Sequence, residues 1–470
     1  MLNRIKKNLI VITKVFLWVL LLQFFLQTLV TFGFGRDGTF WSLIWMWKEF
    51  LIIALTIFVV YILAMKVDKE KINAMWKTFP LKRFVIIFCL TIFVAFVISL
   101  FNSSISNFVM SIRYSMFWFF IFVLFYVISY LFFNIRAEKL GEWYAKIIKW
   151  ILGWAVIRWF IIWICPAFIE LFGYNQWNYE WKVWEQPPVA YYTQYKDGFI
   201  RNQFLFERPI SLWFFLVAFW PLFFMLVLYK KWIKNWIVRW WMYWLILLST
   251  FSRAAWWARL VQTVIMFFAL YRKQNKKLFL WFLIPFVCVL WIVTYYGKDQ
   301  IIYRDYSNTG HIKELIIAVD KIKEKPIFGQ WAASAGPASH HLWEWKEYNP
   351  ENQYLQIWIE YGLFAFVGWM YLYIFLNFVW LKAFKNDYMD ETASKEMKHL
   401  SLIIFAFSLG MIGLSIEGLV LHSFVDRMIV YPFVTLFGVY YASYYRAKLY
   451  GTKDNKALCT EDFSNEETKA

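Results

Sequence analysis

Cysteine, histidine and acidic residues are scarce in this chain: 470 residues contain four Cys, five His and 31 Asp or Glu against 49 Lys or Arg. Cys89, Cys165 and Cys288 fall inside apolar runs and Cys459 lies near the C-terminal end, with neither paired nor metal-ligand spacing. They indicate no disulfide framework and no redox compartment. The chain also lacks a Gly-rich phosphate cradle, an HExxH pair and paired Cys, so neither a nucleotide nor a metal cofactor has support. No internal repeat or low-complexity block stands out. Arg4, Lys6 and Lys7 precede a long apolar run that lacks a small-residue cleavage site, which predicts a retained first span rather than a signal peptide.

Apolar and aromatic residues are abundant instead. Hydrophobic residues make up 61% and aromatic residues 24%, and the mean hydropathy is +0.49, values far from those of a soluble domain. An all-α polytopic membrane protein is expected, with the bilayer itself as a partner. The 31 Trp and 29 Tyr suit the two membrane interfaces, and as lipid-facing bulk most need no further role. The net charge of +18 is strung between apolar runs rather than gathered on one face, so it predicts topology and anionic lipid, not nucleic acid.

Apolar stretches long enough to span lie at 9–32, 41–65, 83–101, 115–134, 149–172, 210–229, 236–251, 254–271, 278–296, 353–381, 399–419 and 428–445. About twelve transmembrane helices are predicted, the seventh and eighth being short. Basic residues recur in every second loop, from Lys66 to Arg83, then through Arg136, Lys230, Arg272 and Lys382 to Arg446. With positive loops inside, both termini of this inner-membrane protein are cytoplasmic, and two long outer segments remain, 173–209 and 297–352. The membrane domain is then 1–445 and a polar cytoplasmic tail 446–470. Within the second outer segment, Ile312, Leu315, Ile316, Val319 and Ile322 have helical spacing that Pro326 and Gly329 stop, predicting an amphipathic surface helix.

The segment from Asn349 to Gly362, where a polar loop turns into the tenth span, draws most attention. Asn349 is predicted to cap that helix, with Pro350 and Glu351 in its first turn where the dipole favours a carboxylate. Asn352, Gln353, Gln356 and Glu360 then form a polar stripe on one helical face, and polar groups at that depth usually face a protein interior or a wet cavity.

Outer arginines run against the positive-inside tendency. Arg253 follows Ser252, which can cap the eighth span, so a cation stands at the positive end of a helix dipole. Either a carboxylate such as Glu417 or Asp426 or a ligand phosphate would offset it. Arg201, Arg208 and Arg304 stand in the outer segments. Singly each reads as an interfacial anchor; converging, their planar forks would suit a pyrophosphate. For a proton acceptor the outer segment offers His340, His341 and Glu351, the last weakened as a base by its place in a first helical turn.

Ser252-Arg253-Ala254-Ala255-Trp256, then Asp320-Lys321-Ile322 through Lys325-Pro326-Ile327-Phe328-Gly329, then Glu351-Asn352 with Leu355 and Gly362, together resemble the bacterial O-antigen ligase and polymerase family. The resemblance covers about residues 200–380. It implies an inverting, metal-independent glycosyltransferase that moves a glycan from an undecaprenyl-pyrophosphate carrier to a saccharide acceptor hydroxyl. It implies pyrophosphate binding by Arg253 and Arg304; Arg208 and Arg201 join them only from their place at the mouth of the sixth span. Family ligases place a His before the Asn of the tenth-span motif, where this chain has Glu351, so Glu351 or His341 is expected to serve as base. Ligase and polymerase stay open. The alternative from another class is a transporter or flippase for lipid-linked saccharides or small anions, which predicts charges and broken helices near the bilayer midplane.

Overall fold

A computed structural model describes residues 38–66, 69–102, 104–132, 209–229, 236–250, 252–271, 305–341 and 348–450, together with a few isolated positions between them. Every regular element among the described residues is helical. In chain order these are α1 (Gly38–Lys66), α2 (Lys69–Thr78), α3 (Lys82–Asn102), α4 (Ile105–Ser115), α5 (Phe117–Phe132), α6 (Pro209–Tyr229), α7 (Trp236–Ser249), α8 (Arg253–Tyr271), α9 (Asp305–Glu324), α10 (Gln353–Ala383), α11 (Lys395–Glu417) and α12 (Arg427–Tyr450).

Lys82–Phe101, Gln353–Tyr388 and Lys395–Glu417 are long and apolar enough to cross a membrane. The bent pair of α4 and α5 makes a fourth when counted as one span, and shorter apolar helices lie at Glu49–Tyr61 and Ile210–Met225. The predicted span at 9–32 falls almost wholly, and those at 149–172 and 278–296 for the most part, outside the described residues.

The bundle is organised around α11. Every residue from His399 to Ser415 is buried, and α6, α8, α10 and α12 pack around it. Small residues set the closest approaches: a Cβ on Gly410 would collide with the Ala218 carbonyl of α6, and one on Gly413 with Val217 and Gln262. Gln262 of α8 donates through Nε2 to the carbonyls of Val217 (2.9 Å) and Leu409 (2.8 Å), so one buried amide ties three helices together. Gly438 of α12 similarly lies against the Phe122 carbonyl of α5.

Two features depart from the sequence expectation. The predicted span at 115–134 is the second arm of a broken pair: Ser104 caps α4, Met116 ends it, and α5 leaves at 65°. An apolar run predicts length but not a break, because Met116 carries no Pro or Gly signal. The tenth span begins later than expected. Asn352, not Asn349, is the N-cap, its side chain accepting from the Tyr354 and Leu355 amides at 3.0 Å. Glu351 precedes the helix in a left-handed conformation, φ +47, and the Asn349 side chain accepts from the Glu351 amide instead of capping.

The predicted amphipathic helix is present as α9, and the turn at Pro326 to Gly329 ends it. Only part of its apolar stripe packs on protein. Ala318 and Ile322 join Ala335, Tyr348 and Ile359 in a small core, while Ile312, Leu315, Ile316 and Val319 are exposed.

Candidate functional site

The turn after α9 is locked onto α10 by backbone contacts. Leu363 donates to the Pro326 and Ile327 carbonyls at 3.0 Å, Gln330 donates to the Ile359 carbonyl at 2.7 Å, and Trp358 Nε1 donates to the Pro326 carbonyl at 2.9 Å. These bonds are possible because α10 is interrupted at Gly362, where φ is +79. Residues 353–361 therefore form a distinct first segment of the helix, over which residues 326–341 are folded.

The polar stripe of that segment has partners inside the protein. Glu360, 1% exposed, accepts from Ser111 Oγ of α4 at 2.9 Å and from the Ala333 amide at 3.1 Å, and Gln356 Nε2 points to it at 3.4 Å. Ser111 also pairs with the Tyr361 hydroxyl. Gln353 donates to the Tyr373 hydroxyl and accepts from the Phe424 amide, and Asn352 Nδ2 donates to the Leu419 carbonyl at 2.8 Å. The stripe holds the covering loop, the half-helix α4 and the turn after α11 to one helix start.

Glu351 projects from this start toward α9. His311 Nδ1 donates to Glu351 Oε2 at 2.5 Å, with both side chains about one-third exposed. That hydrogen bond, with the electrostatic influence of the nearby His311 and His422 rings, holds the Glu351 carboxyl below the usual carboxylate range despite partial burial.

Arg253 stands at the first position of α8. Ser252 caps that helix as expected, accepting from the Ala255 amide at 3.3 Å. Arg253 Nη1 donates to Asn308 Oδ1 of α9 at 2.9 Å. Asn308 and His311 are three residues apart, hence about one turn apart on the same side of α9. One surface of α9 thus holds both the Arg253 guanidinium and the Glu351 carboxylate.

Glu417 is not the partner of Arg253. It is fully buried at the C-terminal end of α11, and neither of its oxygens has a hydrogen-bond partner among the described residues. Arg201, Arg208 and Arg304 lie outside the described residues, as do the side chains of His340 and His341, although His341 closes a short 3-10 turn from Gly336. Among the described residues no group of His, Cys, Asp and Glu is arranged to hold a metal ion.

Sequence reasoning missed Asn308, His311 and His422. The first two are polar interruptions in a helix read for its apolar stripe. Their i, i+3 spacing was the available signal, but only the approach of α8 and of the α10 start gives it meaning. It also missed Arg259, buried within α8 beside the rings of Tyr243 and Trp220, with its guanidinium carbon 5.1 and 5.5 Å from their centroids.

Residues 238–370 match the family model described as O-Antigen ligase. The matched region runs from α7 through the Gly362 interruption and so contains Arg253, Asn308, His311 and Glu351. No curated protein and no solved structure matches the chain.

Proposed function

We propose that this chain, whose residues 238–370 match the family model described as O-Antigen ligase, transfers a glycan from a polyprenyl-pyrophosphate carrier to a saccharide hydroxyl. The observation that carries the reading is the shared surface of α9, which gathers a guanidinium and a carboxylate–imidazole pair at neighbouring helix ends. A displacement at the anomeric carbon needs both: a cation where the pyrophosphate leaves with its electron pair, and a proton acceptor where the hydroxyl attacks.

In this reading the acceptor oxygen forms the new glycosidic bond from the face opposite the leaving group, so the anomeric configuration inverts. Arg253 binds the departing pyrophosphate, joined by Arg304, Arg208 and Arg201 from the outer segments. A bidentate guanidinium offsets the charge that grows on phosphate oxygens as the bond breaks. The proton goes to the Glu351 end of the site or to His341. No metal is required by these roles. Twelve spans, cytoplasmic termini and an inner-membrane setting complete the proposal and place the site on the outer side, where lipid-linked glycans and their acceptors would meet it.

The test is transfer from a lipid-linked donor by reconstituted protein. Arg253→Ala is expected to lower transfer by at least about a hundredfold, the scale of removing one transition-state charge contact. Near-normal transfer in a well-folded variant would sink the assignment.

A second reading has one feature in its favour. The 65° break between α4 and α5 and the buried Arg259 are what a transporter of lipid-linked saccharides would use. Movement of such a lipid across vesicles, with no change in glycan length, would favour that reading.

A further inference from the structure

We infer that His311 takes the proton from the attacking hydroxyl and that Glu351 is its positioning residue; this rests on the transfer reaction proposed above. Of the two partners, the carboxylate is the poorer proton acceptor. Glu351 already accepts a hydrogen bond through Oε2, and its left-handed backbone aims the side chain at α9. A carboxylate committed in this way orients a base more readily than it serves as one.

The imidazole is placed for the complementary task. In the neutral ring, donation from Nδ1 to Glu351 leaves the lone pair on Nε2. Its side chain is 34% exposed, so a saccharide hydroxyl can reach it. When Nε2 accepts the hydroxyl proton, the adjacent carboxylate stabilises the imidazolium. The acceptor oxygen then bonds to the anomeric carbon, the bond from that carbon to the phosphate oxygen breaks, and its electron pair leaves with the pyrophosphate. The imidazolium returns its proton to water after product release.

Among the described residues, Glu351 before α10 is bonded to His311, His422 after α11 acts on that carboxylate, and Arg253 at the start of α8 is held one helical turn away through Asn308. Arg253 on that side fixes where the leaving group lies, so attack and departure take place along one surface of α9.

The experiment uses the full-length protein in liposomes with a polyprenyl-pyrophosphate-linked oligosaccharide donor. His311→Ala is expected to lower kcat by about a hundredfold to ten-thousandfold while leaving the donor KM within about twofold. Added imidazole is expected to restore part of that rate. Glu351→Gln is expected to lower kcat less than His311→Ala, with no response to imidazole. His311→Gln, which keeps a polar side chain on α9, guards against misfolding and is expected to be equally slow. Transfer by His311→Ala within threefold of the wild type overturns the inference, as does a larger loss in Glu351→Gln than in His311→Ala; either result leaves the transfer reaction standing. Absence of transfer by the wild-type protein overturns both.

Discussion

Gly329 and Gly362 meet backbone to backbone, and their contact joins the turn after α9 to the interruption of α10. Both have positive φ, +74 and +79. A Cβ on Gly329 would lie 2.6 Å from the Gly362 nitrogen, and one on Gly362 would collide with the Ile327 carbonyl oxygen. The junction fixes where residues 330–341 begin and so how they cover the first segment of α10.

Gly362→Ala is therefore expected to destabilise the protein by at least about 2 kcal/mol, through strain at a positive φ added to a backbone collision. Thermal unfolding in detergent reads this directly. An unchanged melting temperature would mean that the two backbones do not touch.

Asn308→Asp places a carboxylate 2.9 Å from the Arg253 guanidinium. If Arg253 binds the donor's pyrophosphate, the new ion pair competes with it. The donor KM is expected to rise about tenfold, or about 1.4 kcal/mol, while Asn308→Ala changes it less. Equal effects of the two substitutions would remove the electrostatic basis of the assignment.

Glu351 has a folded-state pKa below its ordinary value of 4.5, chiefly because His311 donates to it. Its contribution to stability is accordingly full above that ordinary value and is lost as pH falls through the lower folded value. Stability measured against pH is expected to show no Glu351-dependent loss between pH 7 and about pH 5. Wild type and Glu351→Gln should converge only in stronger acid. Convergence already near pH 6 would show that the carboxyl is not held in its charged form.

Glu417 has no hydrogen-bond partner among the described residues although it is fully buried. A carboxyl without partners adds nothing to the fold and costs desolvation. Glu417→Gln is expected to leave the melting temperature unchanged or higher. A fall equivalent to about 3 kcal/mol, the cost of breaking a buried pair, would reveal a partner.

The helices α3, α6, α8, α11 and α12 follow closely from apolar runs, because a long apolar stretch satisfies its backbone hydrogen bonds within a helix wherever the rest of the chain goes; of these, α3 and α11 are long and apolar enough to cross a membrane. The Ser252 cap and the stop at Pro326 to Gly329 are equally local signals. The start of α10 is different. Asn349 and Asn352 are both able to cap, and the choice falls on Asn352 because the turn after α11 engages that end of the helix. The Gln353 amide donates to the Gly418 carbonyl and Asn352 Nδ2 to the Leu419 carbonyl. Residues 65 positions away thus decide a cap that local sequence leaves ambiguous.

The sequence by itself determined a helical membrane protein, its resemblance to the O-antigen ligases and polymerases, and the prominence of Arg253 and Glu351, since composition, period and helix-end chemistry act over a few residues. Tertiary structure decided what surrounds them. The partner of Glu351 is His311, 40 positions earlier, and the partner of Arg253 is Asn308, 55 positions later. Nothing in either local pattern specifies those distances; they arise because α9 is clamped to α10 through Gly329 and Gly362. A helix read for its apolar stripe became, once clamped, the surface that contacts both Arg253 and Glu351.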